Sequence, residues 1–305
     1  MLFRSGGHSK NSHASPTPVY AAGKVYVHFG HLGTARLNAA DGAIDWVNNE
    51  LGYSPVHGNG GSPVLFENKL IFAIDGADRQ EVIALDGETG KVAWRTPRKT
   101  RSDKQFSFCT PLLWQKNGAT EVVTQGSNVV MSLDPSNGME LWRVAFKGYS
   151  VVPRPVAANG MIFLSTGYDN GKVLALKPTG TGDITSSAIA WQAGKNAPYN
   201  PSMICVDGLL YAVSDAGIAS CWDAQTGEVI WSERVPEKYS SSLLYAEGRL
   251  YLQSEEGTGT VLKAGRTFET LATNKLGERS LASYAVNGSA LIIRTEKNLY
   301  RIATK

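Results

Sequence analysis

All five histidines of the chain fall within its first 57 residues: His8, His13, His28, His31 and His57. Neutral imidazoles that meet at one group of loops can bind a transition metal. His28 and His31, in the run His28-Phe-Gly-His31, are close enough for a single turn to present both. His28, His31 and His57 are therefore the candidate metal ligands. Two other uses are open to the same side chains, a ligand pocket without metal and hydrogen bonds to loop backbone. Alternation along a strand can also point His28 and His31 apart.

A second set of residues has the chemistry of recognition. Arg154 stands between Pro153 and Pro155, shortly after Tyr149, and its guanidinium fork suits a carboxylate held bidentately; its alternative use is a salt bridge to Asp169 or Glu255. With His13, His28, His31, His57, Tyr149 and Arg154, the candidate ligand-binding residues are Tyr168, Asp169, Glu255, Arg279 and Arg294. Charges of both signs mixed with aromatic rings suit a polar small molecule, a glycan or a peptide. No Ser-His-Asp order, HExxH run, P-loop or paired-carboxylate motif has usable spacing, so no catalytic residue is named. Gly58-Asn59-Gly60-Gly61 precedes no helical pattern and reads as a flexible connection rather than a phosphate loop.

The elements that must position these residues are written in a tandem repeat. Leu37 to Trp46, Leu85 to Trp94, Leu133 to Trp142 and Trp222 to Trp231 each join a strand to a Gly-containing turn and a strand that carries Trp. A stretched copy ends at Trp191. Each unit reads as a β-hairpin. Its Asp accepts turn amide hydrogens, its Gly supplies positive φ, and its Trp covers the seam to the next sheet. The structural residues of the motif are Asp86, Gly90 and Trp94; Asp134, Gly138 and Trp142; and Asp223, Gly227 and Trp231. Two further apolar strands precede each unit, and four strands per repeat make a propeller blade. The fold class is therefore all-β, a β-propeller of four-stranded antiparallel blades. They lie at about 14–48, 62–97, 109–145, 154–193, 201–234, 241–274 and 282–303, the last partial. One domain spans residues 1–305.

Composition agrees with a turn-rich sheet protein, since hydrophobic residues make up 42%, charged residues 19%, and Gly reaches 32. The formal charge of +3 comes from basic residues scattered along the chain, which gives nucleic-acid binding no support. Cys109, Cys205 and Cys221 are widely spaced and read as buried thiols on strands. No stretch has the roughly 20 apolar residues of a membrane span, and the opening Met1 to His8 does not read as a signal peptide.

Ala84-Leu-Asp86-Gly-Glu-Thr89-Gly90-Lys-Val-Ala-Trp94 resembles the tryptophan-docking pattern A-x-D-x-x-T-G-x-x-x-W of the quinoprotein-like (PQQ-repeat) propellers. Cys221 to Trp231 matches it with Cys in the Ala position. More closely, the chain is similar to bacterial PQQ-binding-like propellers grouped with the outer-membrane protein assembly factor BamB. Its stretches His8 to Pro16, Ser54 to Pro63 and Tyr149 to Pro155 carry that likeness. The resemblance implies an eight-bladed, exported, periplasmic or secreted protein, with upstream sequence absent from this chain. It implies a non-catalytic scaffold with a protein partner or envelope component and no cofactor. PQQ with calcium at a central site, as in quinoprotein dehydrogenases, is the alternative that the shared repeat allows. A ligand- or carbohydrate-binding propeller is another. The adjacent cysteines that many of those dehydrogenases place over the quinone are missing here, and the docking motif specifies a fold rather than a chemistry.

Overall fold

The computed structural model describes residues 8–303; the leader reading of Met1 to Gly7 and the last two residues lie outside them. The chain divides into two compact units, residues 1–155 with 178–188, and residues 156–177 with 189–305.

The first unit holds three sheets. The first consists of β1 (Val19–Ala21), β2 (Lys24–His28), β3 (Thr34–Asn38) and β4 (Ile44–Asn48). The second has β5 (Val64–Phe66), β6 (Lys69–Asp75), β7 (Gln80–Asp86) and β8 (Val92–Pro97). The third has β9 (Leu112–Lys116), β10 (Ala119–Gly126), β11 (Val129–Leu133) and β12 (Glu140–Ala145). The second unit begins with β13 (Val156–Ala158), β14 (Met161–Ser165) and β15 (Val173–Leu176). Before that sheet is completed, β16 (Gly182–Asp183) pairs parallel with β12, as the fifth strand of the third sheet. The short helix α1 (Thr185–Ala188) follows it, and β17 (Ile189–Ala193) then completes the fourth sheet. The fifth sheet has β18 (Ile204–Val206), β19 (Leu209–Val213), β20 (Ile218–Asp223) and β21 (Val229–Arg234). The sixth has β22 (Leu244–Ala246), β23 (Arg249–Gln253), β24 (Thr258–Lys263) and β25 (Thr270–Lys275). The seventh, with β26 (Ala285–Asn287), β27 (Ala290–Arg294) and β28 (Leu299–Ile302), has three strands among the described residues.

Apart from the β16 pairing, each sheet is an antiparallel meander in sequence order, the topology of propeller blades. The fold class is the all-β propeller that the repeat predicts. The stretched fourth copy is the exception to that reading: it folds its extra residues into β16 and α1.

Inner strands are buried on both faces, which is why they read as unbroken apolar runs. In β19, Leu210 and Ala212 pack with Met161 and Phe163 of the fourth sheet, while Leu209, Tyr211 and Val213 pack with Leu250 and Leu252 of the sixth. In β6, Leu70, Phe72 and Ile74 face Tyr26 and Trp46, and Ile71 faces Trp94 and Met131. The two-residue period thus assigns alternate side chains to two cores.

The third and fourth strands show the same bulge in all six sheets that have a fourth strand, as at Ala84/Leu85 and Cys221/Trp222. Beyond it, Asp86 accepts hydrogen bonds from the Thr89 amide at 2.8 Å and the Thr89 hydroxyl at 2.9 Å, which fixes the turn. Gly90 has φ of +70°, and a Cβ there would lie 2.5 Å from the Trp46 ring. Trp94 lies against Gly138, and Trp191 against Gly227, in the same way. Each indole also donates to backbone of the neighbouring sheet: Trp46 to Gly87 at 2.9 Å, Trp94 to Pro135 at 3.1 Å, Trp191 to Ala224 and Trp231 to Gly265, both at 3.0 Å. Trp142 departs from this pattern and donates to Glu121 of its own sheet at 2.8 Å.

Gly90→Ala is expected to cost about 2–4 kcal/mol, since it strains a positive φ and drives a methyl into Trp46. Gly23→Ala, at φ +75° with open space around it, should cost only about 1 kcal/mol. Urea denaturation of both variants checks this, and equal losses would show that the tryptophan contact is not the constraint.

Candidate functional site

The candidate residues divide between the two units. In the first, His28 closes β2, and His31 sits in a single 3-10 turn, Gly30–Leu32, that joins β2 to β3. His28 is buried with its ring 4.1 Å from that of Phe72 and its Nδ1 2.8 Å from the Thr34 hydroxyl. Burial pushes its pKa down to about 3, so it is neutral at physiological pH. His31 turns away to pack on Tyr53 and on His13, with ring centroids 6.4 Å apart in each case. Tyr53 donates to Asn59 Oδ1 at 3.2 Å, and Gly30 leaves room for both, since a Cβ on it would lie 2.6 Å from Asn59 Cβ.

His57 belongs to a different group of rings. It meets His8 at 5.7 Å, Phe106 edge-on at 5.1 Å and Phe108 at 6.2 Å. Phe106 in turn meets Tyr149 edge-on at 6.1 Å, and Lys104 donates to the Tyr149 hydroxyl at 2.7 Å. The three histidines named as metal ligands thus pack against different aromatic partners. Among the described residues, no three His, Cys, Asp or Glu gather to hold a metal ion. Arg154 donates to the Pro111 carbonyl at 3.3 Å.

In the second unit, Tyr168 stacks on Tyr199 at 4.8 Å. Asp215 accepts the backbone amides of Tyr199 at 2.7 Å and Asn200 at 3.3 Å, and also the Asn200 side chain. Asp169 is exposed at φ +59° in the connection between β14 and β15. Glu255 accepts the Ser240 hydroxyl at 2.6 Å. Arg279 pairs with Glu296 at 3.4 Å on the surface, while Arg294 is exposed and its carbonyl accepts the Ser280 hydroxyl at 2.8 Å. All three thiols are free, and burial raises Cys109 and Cys221 to about 12 and Cys205 to about 11. Cys109 lies in the stretch ahead of β9 rather than on a strand.

The residue that the sequence reading missed is Arg98. Fully buried, it pairs with Asp75 through Nε at 2.8 and 3.0 Å and donates to the Thr124 hydroxyl at 3.1 Å. Ser107 adds a further hydrogen bond to the same carboxylate. Gly126 makes the space, because a Cβ there would lie 2.6 Å from the guanidinium stem. A signal was present: the place matching Arg98 in the fifth sheet is held by Val235, which is buried.

The geometry is therefore that of loops tied to the turns beside them, with half-buried rings and cations left at the surface. The family model for outer membrane protein assembly factor BamB matches residues 4–107, 115–205 and 181–300. The chain belongs to the BamB family of PQQ-like propellers. An outer membrane protein assembly factor BamB of Nitrosomonas eutropha is 22% identical over 94% of this chain and 68% of its own length. One of Yersinia pestis is 24% identical over 53% of this chain and 41% of its own length. Among solved structures, BamB from Moraxella catarrhalis is similar with a TM-score of 0.67 at 12% identity, over 89% of this chain and 78% of that one. A quinohemoprotein alcohol dehydrogenase from Comamonas testosteroni gives 0.66 at 16% identity, over 90% of this chain and 62% of that one. At these identities the structural likenesses establish the fold that BamB-family chains share with such dehydrogenases. Among the described residues no helix is long and apolar enough to cross a membrane.

Two outcomes are expected from the buried titratable groups. Asp75→Ala strands the Arg98 cation and should cost about 3–5 kcal/mol, whereas Asp75→Leu with Arg98→Met should recover most of that loss; denaturation midpoints of the three proteins decide it. His28 titrates near 6.5 when unfolded and near 3 when folded, so the unfolded chain binds more protons in that window and stability falls as pH drops through it. At pH 5 the cost is about 2 kcal/mol. His28→Leu should therefore lose less stability than the parent between pH 7 and pH 5; parallel pH curves would rule out a buried neutral imidazole.

Proposed function

We propose that the protein is a non-catalytic scaffold of the bacterial envelope. It works in the periplasm and holds protein components of outer-membrane protein assembly through the loops that join its sheets. The observation that carries this reading is the match to the BamB family model in three stretches that run through nearly the whole chain, supported by the Nitrosomonas relative over 94% of it. The loop chemistry agrees with the reading. Rigid loops with exposed charges and half-buried rings suit a protein partner.

Deletion of the gene in the native host is expected to lower the levels of outer-membrane β-barrel proteins, measured by quantitative mass spectrometry of isolated envelopes, and a plasmid copy should restore them. Cross-linked, tagged protein should bring down other outer-membrane assembly factors. Unchanged barrel-protein levels together with no such co-isolation would overturn the reading. The quinone-dependent alternative is separated by offering PQQ and calcium to the purified protein. A stoichiometric quinone band with alcohol-dependent dye reduction favours the enzyme; a colourless protein without turnover favours the scaffold.

A further inference from the structure

Two loops of the first unit are built into one surface. Asn128, in the turn between β10 and β11, exchanges backbone hydrogen bonds with Gly148 and Phe146. Its side chain accepts the Gly148 amide at 3.0 Å and donates to the Arg101 carbonyl at 2.9 Å. Thr100 donates to the Ser127 carbonyl at 3.2 Å, and Ser127 to the Phe106 carbonyl at 3.1 Å. The amides of Ser150 and Phe108 continue the seam by donating to Phe106 and Val151. These bonds tie the segments 98–108 and 146–151 to one another through the turn at Asn128.

The charged side chains of these segments are predominantly cationic. Residues 95–104 carry five cations against the single carboxylate Asp103. Arg95 is paired with Glu81 and Arg98 with Asp75, Lys104 is engaged with Tyr149, and Lys99, Arg101 and, in the neighbouring loop, Lys147 are exposed. Among the described residues, Lys99, Arg101 and Lys147 have no ion-pair partner. Lys104 lies over the Tyr149 ring, its ammonium 4.0 Å from the ring centre, and Tyr149, Phe106 and His57 form a row of half-buried rings in edge-on contact.

We propose that this surface binds an acidic peptide segment of a partner protein, its carboxylates on Lys99, Arg101 and Lys147 and an apolar or aromatic side chain against Phe106 and Tyr149. The inference rests on the scaffold reading for the class of partner and adds its chemistry. Charge complementarity selects the acidic sequence. Half-buried rings fixed edge to face offer a shallow apolar seat for one side chain. They cannot insert into a bilayer as protruding rings do, which favours a peptide over an anionic lipid surface.

The test is fluorescence anisotropy with a short labelled peptide in which Asp and Glu flank one Trp. Saturable binding is expected that weakens as salt is raised toward about 1 M, where the screening length falls to about 3 Å. Lys99→Glu, Arg101→Glu and Lys147→Glu combined should weaken it at least about tenfold. An unchanged thermal midpoint shows that this variant is folded; if it is not, Lys99→Ala with Lys147→Ala replaces it and should weaken binding about threefold. Absence of binding, binding indifferent to these substitutions, or binding to phosphatidylglycerol vesicles in place of the peptide would each overturn the proposal. Isolation of the complex with assembly factors separates the two readings. If the charge-reversed protein still brings down the factors that the parent brings down, this surface is wrong and the scaffold stands. If the parent brings down none, the scaffold reading fails by itself.

Discussion

The structure depends on one contact that recurs in both units, the indole of a fourth strand laid over the glycine of the next sheet's hairpin, as Trp46 on Gly90, Trp94 on Gly138 and Trp191 on Gly227. Three properties meet there. The turn needs a positive φ, the ring needs a residue without Cβ beneath it, and the indole N–H needs a carbonyl. Gly90 and the carbonyl of Gly87 meet all three for Trp46. Because ring, turn and hydrogen bond are set together, the contact fixes where a neighbouring sheet sits as well as adding apolar burial. The bulge that precedes each such turn serves the same end by bending the strand pair locally.

Where the tryptophan dock is altered, other groups take over. Trp142 turns to Glu121, whose carboxylate also accepts the Ser132 hydroxyl at 2.6 Å. The insert of residues 178–188 covers the outer strand of the same sheet: β16 pairs with Trp142 and Arg143, and the Thr185 hydroxyl accepts the Ala145 amide at 2.8 Å. A sheet edge that would otherwise present unpaired amides is thereby closed. One departure from the repeat thus accompanies another, which is what a requirement on covering the outer strand would produce.

The repeat was legible in the sequence because its parts are chemically singular. Asp, Gly and Trp each perform a task in the hairpin that few residue types can take over, so the strands follow almost directly from Asp86, Gly90 and Trp94 and their copies. The insert was not legible, since Thr-Gly-Thr-Gly-Asp at 179–183 has turn composition and its pairing partner, β12, lies far back in the chain. The histidines illustrate a different limit. Their clustering in sequence is real, yet rings three residues apart in His28 and His31 serve different neighbours, one a core phenylalanine and the other Tyr53. Arg98 and its pairing with Asp75 were hidden because a buried ion pair is written as two ordinary charges, and only the smallness of Gly126 and the apolar residue in a sister repeat hint at burial.

The loop carboxylates bear on what these sheets can do chemically. Glu278 is held below the usual carboxylate range by the Tyr300 hydroxyl at 2.6 Å and the Thr295 hydroxyl at 2.7 Å. The Thr226 amide does the same for Asp223, and the Ser136 hydroxyl at 2.6 Å for Asp134. A general base works best with a pKa near the ambient pH, which enzymes obtain by starving a carboxylate of such donors. These carboxylates are supplied with donors instead, and each holds a turn or ties a loop to its neighbour. Lys99, Arg101 and Lys147 contrast with them, since their loop backbone is tied down while their ammonium and guanidinium groups remain exposed. Charge left in water on an anchored loop is suited to meeting another charged surface, because the loop backbone needs no ordering when the two come together and only the side chains do.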